Sequence, residues 1–252
     1  MNPLKSALIS TLLGATLLSN PLTADEVKIA VAANFTDVSR ILAELFEKET
    51  GHKTKISYGS TGKLYSQIEH GAPFELFLAA DTKRPIKAEH EGLAVAGSHF
   101  IYAKGKLVLW SIEPEAFESG ETYLKQGNLN HLALANPKTA PYGQAAVQVM
   151  QNIGSLANLE SKLVKGDSIS QTFQFVATGN ADAGFVALSQ IKAWKGQTGS
   201  LWEIPQAYYE PIDQAAVMLK KGATNPAATA FLEFLKSKTA HSVITEFGYG
   251  VE

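Results

Sequence analysis

Four short polar segments stand out by residue type and position: Ala33-Asn34-Phe35-Thr36, Gly59-Ser60-Thr61-Gly62, Ala140-Pro141-Tyr142-Gly143 and Gly166-Asp167-Ser168-Ile169-Ser170. Each joins a run that reads as a strand to a stretch that reads as a helix. A helix N-terminus presents N–H groups without intrahelical partners and carries roughly half a positive charge. Several of them converging would hold an anion. Each loop also has a plainer reading, because Ser, Thr, Asn and Asp before a helix are ordinary N-caps. Gly59 and Gly62 around Ser60-Thr61 would let a ligand approach the backbone. The spacing is not GxxxxGK[ST], which argues against a nucleoside triphosphate.

Other chemistries have less support. The chain has no cysteine, which excludes disulfides, thiolate zinc sites, iron–sulfur ligation, a cysteine nucleophile and a lipid-modified N-terminal cysteine. His52, His70, His90, His99, His131 and His241 show no i, i+4 pairing, so no histidine metal site is expected. No GxSxG elbow is present. Asp167 could act as a base, but a helix cap is the simpler reading. Glu113 and Glu115 around Pro114 read as solvated loop charges. Trp194, Trp202, Tyr208 and Tyr209 read as packing. With 22 Lys+Arg against 24 Asp+Glu the net charge is −2, which argues against nucleic acid as a partner.

The elements that must carry these loops alternate between strand and helix. Expected strands are Val27–Ala32, Lys55–Tyr58, Phe74–Ala79, two stretches within His99–Trp110, His131–Ala135, Ala183–Ala187 and Ala215–Leu219. Expected helices are Asp37–Thr50, closed by Gly51, then Lys63–His70, one ending at Gly92, Gln144–Ile153, Ile169–Ala177, one opened by Asn225-Pro226, and Thr239–Phe247. Such order predicts an α/β protein with mainly parallel sheets covered by helices. Two lobes are expected, 25–103 with 212–252, and 107–204. Crossings between them, near 103–106 and 205–211, would serve as the hinge, with the ligand cleft between the lobes.

Residues 1–24 have the shape of a secretory signal peptide: Lys5, an uncharged stretch Ala7–Leu18, the breakers Asn20 and Pro21, and Ala24 before Asp25. The apolar stretch is too short to cross a bilayer, which needs about 20 residues. An exported soluble chain is expected.

The segments VAANFTDV, YGSTGKLYSQIEHGAPFELFLAAD, LALANPKTAPYG and FVATGNADAGFVALSQ resemble the periplasmic molybdate-binding proteins of ABC transporters. The resemblance covers nearly all of the chain after the leader. It implies a type II periplasmic-binding fold with a tetrahedral dianion in the cleft. It also implies a binding protein and not an enzyme, without a cofactor, expected as a monomer in the periplasm. The implied ligand is molybdate or tungstate, and the implied partner an inner-membrane ABC permease.

Carried over by position, Asn34 stands for a first-loop polar ligand that is often serine. In the second loop Thr61 is favoured as the direct ligand, with Ser60 as its neighbour. Tyr142 and Ile169 match backbone N–H donors, so the Tyr142 ring need not touch the anion. Molybdenum would thus be held as its oxyanion, with no direct metal–protein bond. Some family members bring a tyrosine hydroxyl from the strand that here ends in Phe185-Val186-Ala187. Ala187 has no such donor, so either Asn34 compensates or the coordination differs.

None of these contacts is cationic. Charge-assisted hydrogen bonds of about 1.5–3 kcal/mol each can still hold a dianion. A fully deprotonated oxyanion only accepts hydrogen bonds, whereas an inward-pointing Asp167 would suit protonated phosphate. Sulfate and phosphate are therefore the competing ligands. A porphyrin-pathway deaminase of this fold would need a cysteine, and a transcriptional effector domain would need an N-terminal DNA-binding helix pair in place of the leader.

Overall fold

A computed structural model describes residues 24–251. Apart from Ala24, the expected leader lies outside the described residues. No helix among them is long and apolar enough to cross a membrane.

The chain runs β1 (Glu26–Ala32), α1 (Thr36–Thr50), β2 (Lys53–Gly59), α2 (Thr61–Glu69), β3 (Leu76–Leu78), α3 (Lys83–His90) and β4 (Phe100–Gly105). It then continues through β5 (Leu107–Ser111), α4 (Gly120–Gln126), β6 (Leu132–Ala135), α5 (Pro141–Asn152), α6 (Leu156–Leu159) and β7 (Leu163–Gly166). Next come α7 (Ile169–Ala177), β8 (Ala183–Ala187), α8 (Leu188–Ala193) and β9 (Ser200–Glu203). The last elements are β10 (Ile212–Met218), α9 (Pro226–Leu235) and α10 (Lys238–Glu246).

Local signals explain many boundaries. In α1, Val38, Leu42 and Phe46 recur every four residues on the buried face. The helix stops at Gly51, whose φ of 77° is left-handed and whose N–H donates to the Glu47 carbonyl. In α9, Asn225 Oδ1 accepts from the Ala227 N–H at 2.9 Å, and Pro226 occupies the first helical position, where no N–H is needed.

Two five-stranded sheets result, in the orders β2-β1-β3-β10-β4 and β7-β6-β8-β5-β9. They are mixed, not simply parallel. β1, β2 and β3 run parallel, as do β6, β7 and β8, but β10 opposes β3 and β5 opposes β8. The connectivity gives the reason. β5 follows β4 after the single residue Lys106 and enters its sheet beside the C-terminal end of β8, pairing Leu107 with Ala187. A strand that enters at the C-terminal end of its neighbour must run against it. β10 returns from the second sheet in the same way, with Ile212 beside Gly105 of β4.

The first sheet packs Ile29, Val31, Leu42, Phe46 and Phe231 into one core. Another core holds Leu107, Leu134, Met150 and Phe185 from the second sheet and its helices. Ala32, Ala33 and Ala80, at the ends of β1 and β3, belong to this second core. Small side chains at these strand ends let the two halves approach closely at the level of the loops.

Candidate functional site

All five residues singled out from the sequence, Asn34, Ser60, Thr61, Tyr142 and Ile169, are buried. The four loops that carry them meet where the two sheets' halves touch. Gly62 N–H donates to the Thr139 carbonyl at 2.8 Å, which joins the second loop to the third. Ser170 Oγ donates to the Ala33 carbonyl at 3.1 Å, which joins the fourth loop to the first. Ala33, Ala140, Tyr142 and Ile169 share one apolar cluster. Gly62 has a steric role here. A Cβ on it would lie 3.0 Å from Thr139 Cα, so a side chain would push the halves apart.

The second loop departs from ordinary capping. Ser60 occupies the N-cap position of α2, yet its side chain caps nothing. Its Oγ is buried without a hydrogen-bond partner. Such a group costs about 1–3 kcal/mol, so it calls for a partner that the protein does not supply. Thr61 Oγ1 accepts from the Ala80 N–H at 3.1 Å, which leaves its own proton to donate. Thr139 Oγ1 is another buried hydroxyl without a partner. It lies one residue before the third segment as read from the sequence.

In the third loop Pro141 has no N–H, while those of Gly143 and Gln144 turn back to the Ala140 carbonyl at 3.0 and 3.2 Å. The Tyr142 N–H is therefore the donor of this turn without a partner among the described residues. In the fourth loop the cap is Ser168, whose Oγ accepts from the Gln171 N–H at 3.3 Å, and Ile169 is the first helical residue. Its N–H belongs to the unpaired first turn.

Two expectations change. Asn34 was expected to donate through its side chain, but that amide is already engaged. Nδ2 donates to Gln214 Oε1 at 2.8 Å and to the Tyr249 hydroxyl at 2.9 Å. Both amide protons of Asn34 are thus engaged within the protein. Asp167 is neither cap nor inward acceptor. It is exposed and pairs with Lys63 at 2.8 Å across the loops. An exposed pair of this kind contributes at most about 1 kcal/mol.

Sequence reading missed Gln214, Tyr102, Tyr249 and Ser189, which form a buried polar network around Asn34. Gln214 Oε1 also accepts from the Tyr102 hydroxyl at 3.1 Å, and Gln214 Nε2 donates to the Tyr142 hydroxyl at 3.3 Å. Ser189 Oγ donates to the Asn34 carbonyl at 3.0 Å, and the Tyr249 hydroxyl lies 2.8 Å from the same carbonyl. Burial pushes the Tyr102 and Tyr142 phenols well above their ordinary range and Tyr249 up to about 12, its bonds with Ser189 and Asn34 holding it back. All three stay neutral. The one available signal was Gln214 itself, a polar residue just before the apolar run Ala215–Leu219.

Carboxylates lie elsewhere. A cavity of about 180 Å³ beside the crossings is lined by Asp81, Glu210 and Asp213, and a larger one of about 580 Å³ on the second half by Glu113, Glu115 and Asp182. Both repel anions. No group of His, Cys, Asp and Glu among the described residues is placed to hold a metal ion. Trp194 packs edge-on against Trp110 and Phe173, and Trp202 lies against Tyr208.

Two three-layered halves, twice connected, with helix N-termini meeting between them, define the class of two-lobed solute-binding proteins. The chain belongs to the bacterial extracellular solute-binding protein family, whose model matches residues 27–250. It is 55% identical over 241 residues to the molybdate-binding protein ModA of Azotobacter vinelandii, covering 95% of this chain and 96% of that one. It is 51% identical over 235 residues to the molybdate-binding protein ModA of Rhodobacter capsulatus, covering 93% and 92%. A solved periplasmic molybdate-binding protein of Azotobacter vinelandii superposes with a TM-score of 0.86 at 41% identity, covering 90% of this chain and 99% of that one.

Proposed function

We propose that this chain captures molybdate, and tungstate with it, between its two halves and delivers the anion to an ABC-transporter permease. It would act as a monomer in the periplasm, without catalysis. The observation that carries the reading is the Ser60 hydroxyl, buried and unpartnered at the start of α2 where both halves meet. A buried donor at a helix N-terminus suits an anion that only accepts. Ser60 and Thr61 hydroxyls and the N–H groups of Asn34, Tyr142 and Ile169 are the proposed contacts. Ser60 is placed first because its hydroxyl has no partner at all, while Thr61, whose oxygen accepts from Ala80, keeps its proton for the same anion. The relatives' ligand supports molybdate, and the outward Asp167 argues against protonated phosphate.

The contacts come from both halves, so the anion would favour the closed arrangement. Lys106 and the 205–211 segment, where the chain crosses, are the proposed hinge. Thermal melting tests the ligand. A ligand at about 100 times its Kd adds about 2.7 kcal/mol, or about 5–10 °C for a chain of this size. Molybdate and tungstate are expected to give such a shift, and sulfate and phosphate little. A shift with phosphate and none with molybdate would refute the assignment.

A further inference from the structure

We propose that Gln214 is a positioning residue that holds the proposed anion contacts of the two halves, Asn34 and Tyr142, in one register; the inference rests on the oxyanion reading above. Gln214 lies fully buried in β10, in a strand whose following residues are Ala215, Ala216 and Val217. A buried primary amide is costly unless its hydrogen bonds are made. Gln214 makes three, to Asn34 Nδ2, the Tyr102 hydroxyl and the Tyr142 hydroxyl. Asn34 precedes α1 in the first half, and Tyr142 opens α5 in the second. One amide thus grips the side chains of two residues whose backbone N–H groups are the proposed donors from opposite sides.

Its location suits that role. β10 is the strand by which the chain returns to the first sheet, and its register sets Gln214 beside Ala103 of β4, the strand that leaves. On that strand Gly105 leaves space for the grip. A Cβ there would fall 2.1 Å from the Tyr142 hydroxyl and 2.7 Å from Gln214 Nε2. Tyr102 from β4 holds the carbonyl end of the amide, and Tyr249 holds the other N–H of Asn34. One buried amide thus ties the first loop to the third.

Two variants separate positioning from bulk stability. Gln214→Leu keeps the volume but strands Asn34, Tyr102 and Tyr142. Gln214→Glu can accept from all three, since the Tyr142 hydroxyl can donate to a carboxylate, but it brings a negative charge to the two anion loops. The titratable groups around the position are the phenols of Tyr102, Tyr142 and Tyr249, with the carboxylates of Asp81 and Asp37 beyond them.

Calorimetric titration with molybdate should show Gln214→Leu weakened about tenfold or more. Gln214→Glu should bind still more weakly at pH 8 and regain about tenfold at pH 5.5, as its carboxyl is protonated, while the wild type changes far less. Melting of the ligand-free proteins reports whether each variant folds, and Gln214→Glu carries the test if Gln214→Leu does not. Wild-type affinity in Gln214→Leu, or no added pH dependence in Gln214→Glu, overturns the inference alone. A wild-type protein that binds no oxyanion overturns the reading beneath it as well.

Discussion

Ser60→Ala is expected to weaken molybdate binding by about 10- to 100-fold without lowering the melting temperature of the protein measured alone. The two expectations have one cause. The Ser60 side chain caps nothing and makes no hydrogen bond within the protein, so alanine removes none. With the anion bound, the same hydroxyl becomes a donor to a charged oxygen, worth about 1.5–3 kcal/mol. Titration calorimetry and melting of one variant read both. A loss of stability together with unchanged affinity would make Ser60 a structural residue and leave the anion without its central contact.

Gly105→Ala should lose both stability and affinity. The added methyl would lie 2.1 Å from the Tyr142 hydroxyl, and Tyr142 is 1% exposed, so its ring has nowhere to retreat. Overpacking of this kind costs about 1–3 kcal/mol. Displacing Tyr142 also moves its N–H away from the ligand and disturbs Gln214, which holds Asn34. Loss of two aligned donors amounts to about 3 kcal/mol or about 100-fold in Kd. Adding Tyr142→Phe removes the atom that clashes first. The double variant should recover part of the stability lost by Gly105→Ala, a coupling that a double-mutant cycle measures. Strict additivity would mean that the two residues do not meet as described.

Much of the framework was legible because its signals are local. Ile169–Ala177 and Ala183–Ala187 form with the bounds expected for them, the first set by a serine cap and the second by an unbroken apolar run. β7, α4, α6, α8 and β9 were not foreseen; each is short, and their sequences carry little periodicity. β3 spans three residues where Phe74–Ala79 was expected, because only Leu76–Leu78 finds partners on both sides. Strand direction was not legible either, since it depends on where each crossing enters its sheet.

The candidate site divides in the same way. Helix-opening loops with polar residues could be picked out by type, and the structure gathers all four. The use made of each side chain could not be read. Asn34 finds Gln214 and Tyr249 at 180 and 215 residues' separation, distances over which sequence pattern says nothing. Ser60 and Ser168 look alike as residues before a helix, yet one caps and the other does not. Only the surroundings of each hydroxyl distinguish them.

Neutral hydrogen-bond donors from both halves, and no lysine or arginine, are proposed to hold the oxyanion. Crystals of the protein grown with molybdate test it most directly, because molybdenum can be located by its anomalous scattering. One strong peak is expected between the start of α2 and the starts of α5 and α7. Its oxygens should lie within hydrogen-bond reach of Ser60 Oγ and the Tyr142 and Ile169 N–H groups. A peak beside Lys63, Arg40 or Arg84, with Ser60 Oγ still unpartnered, would contradict it.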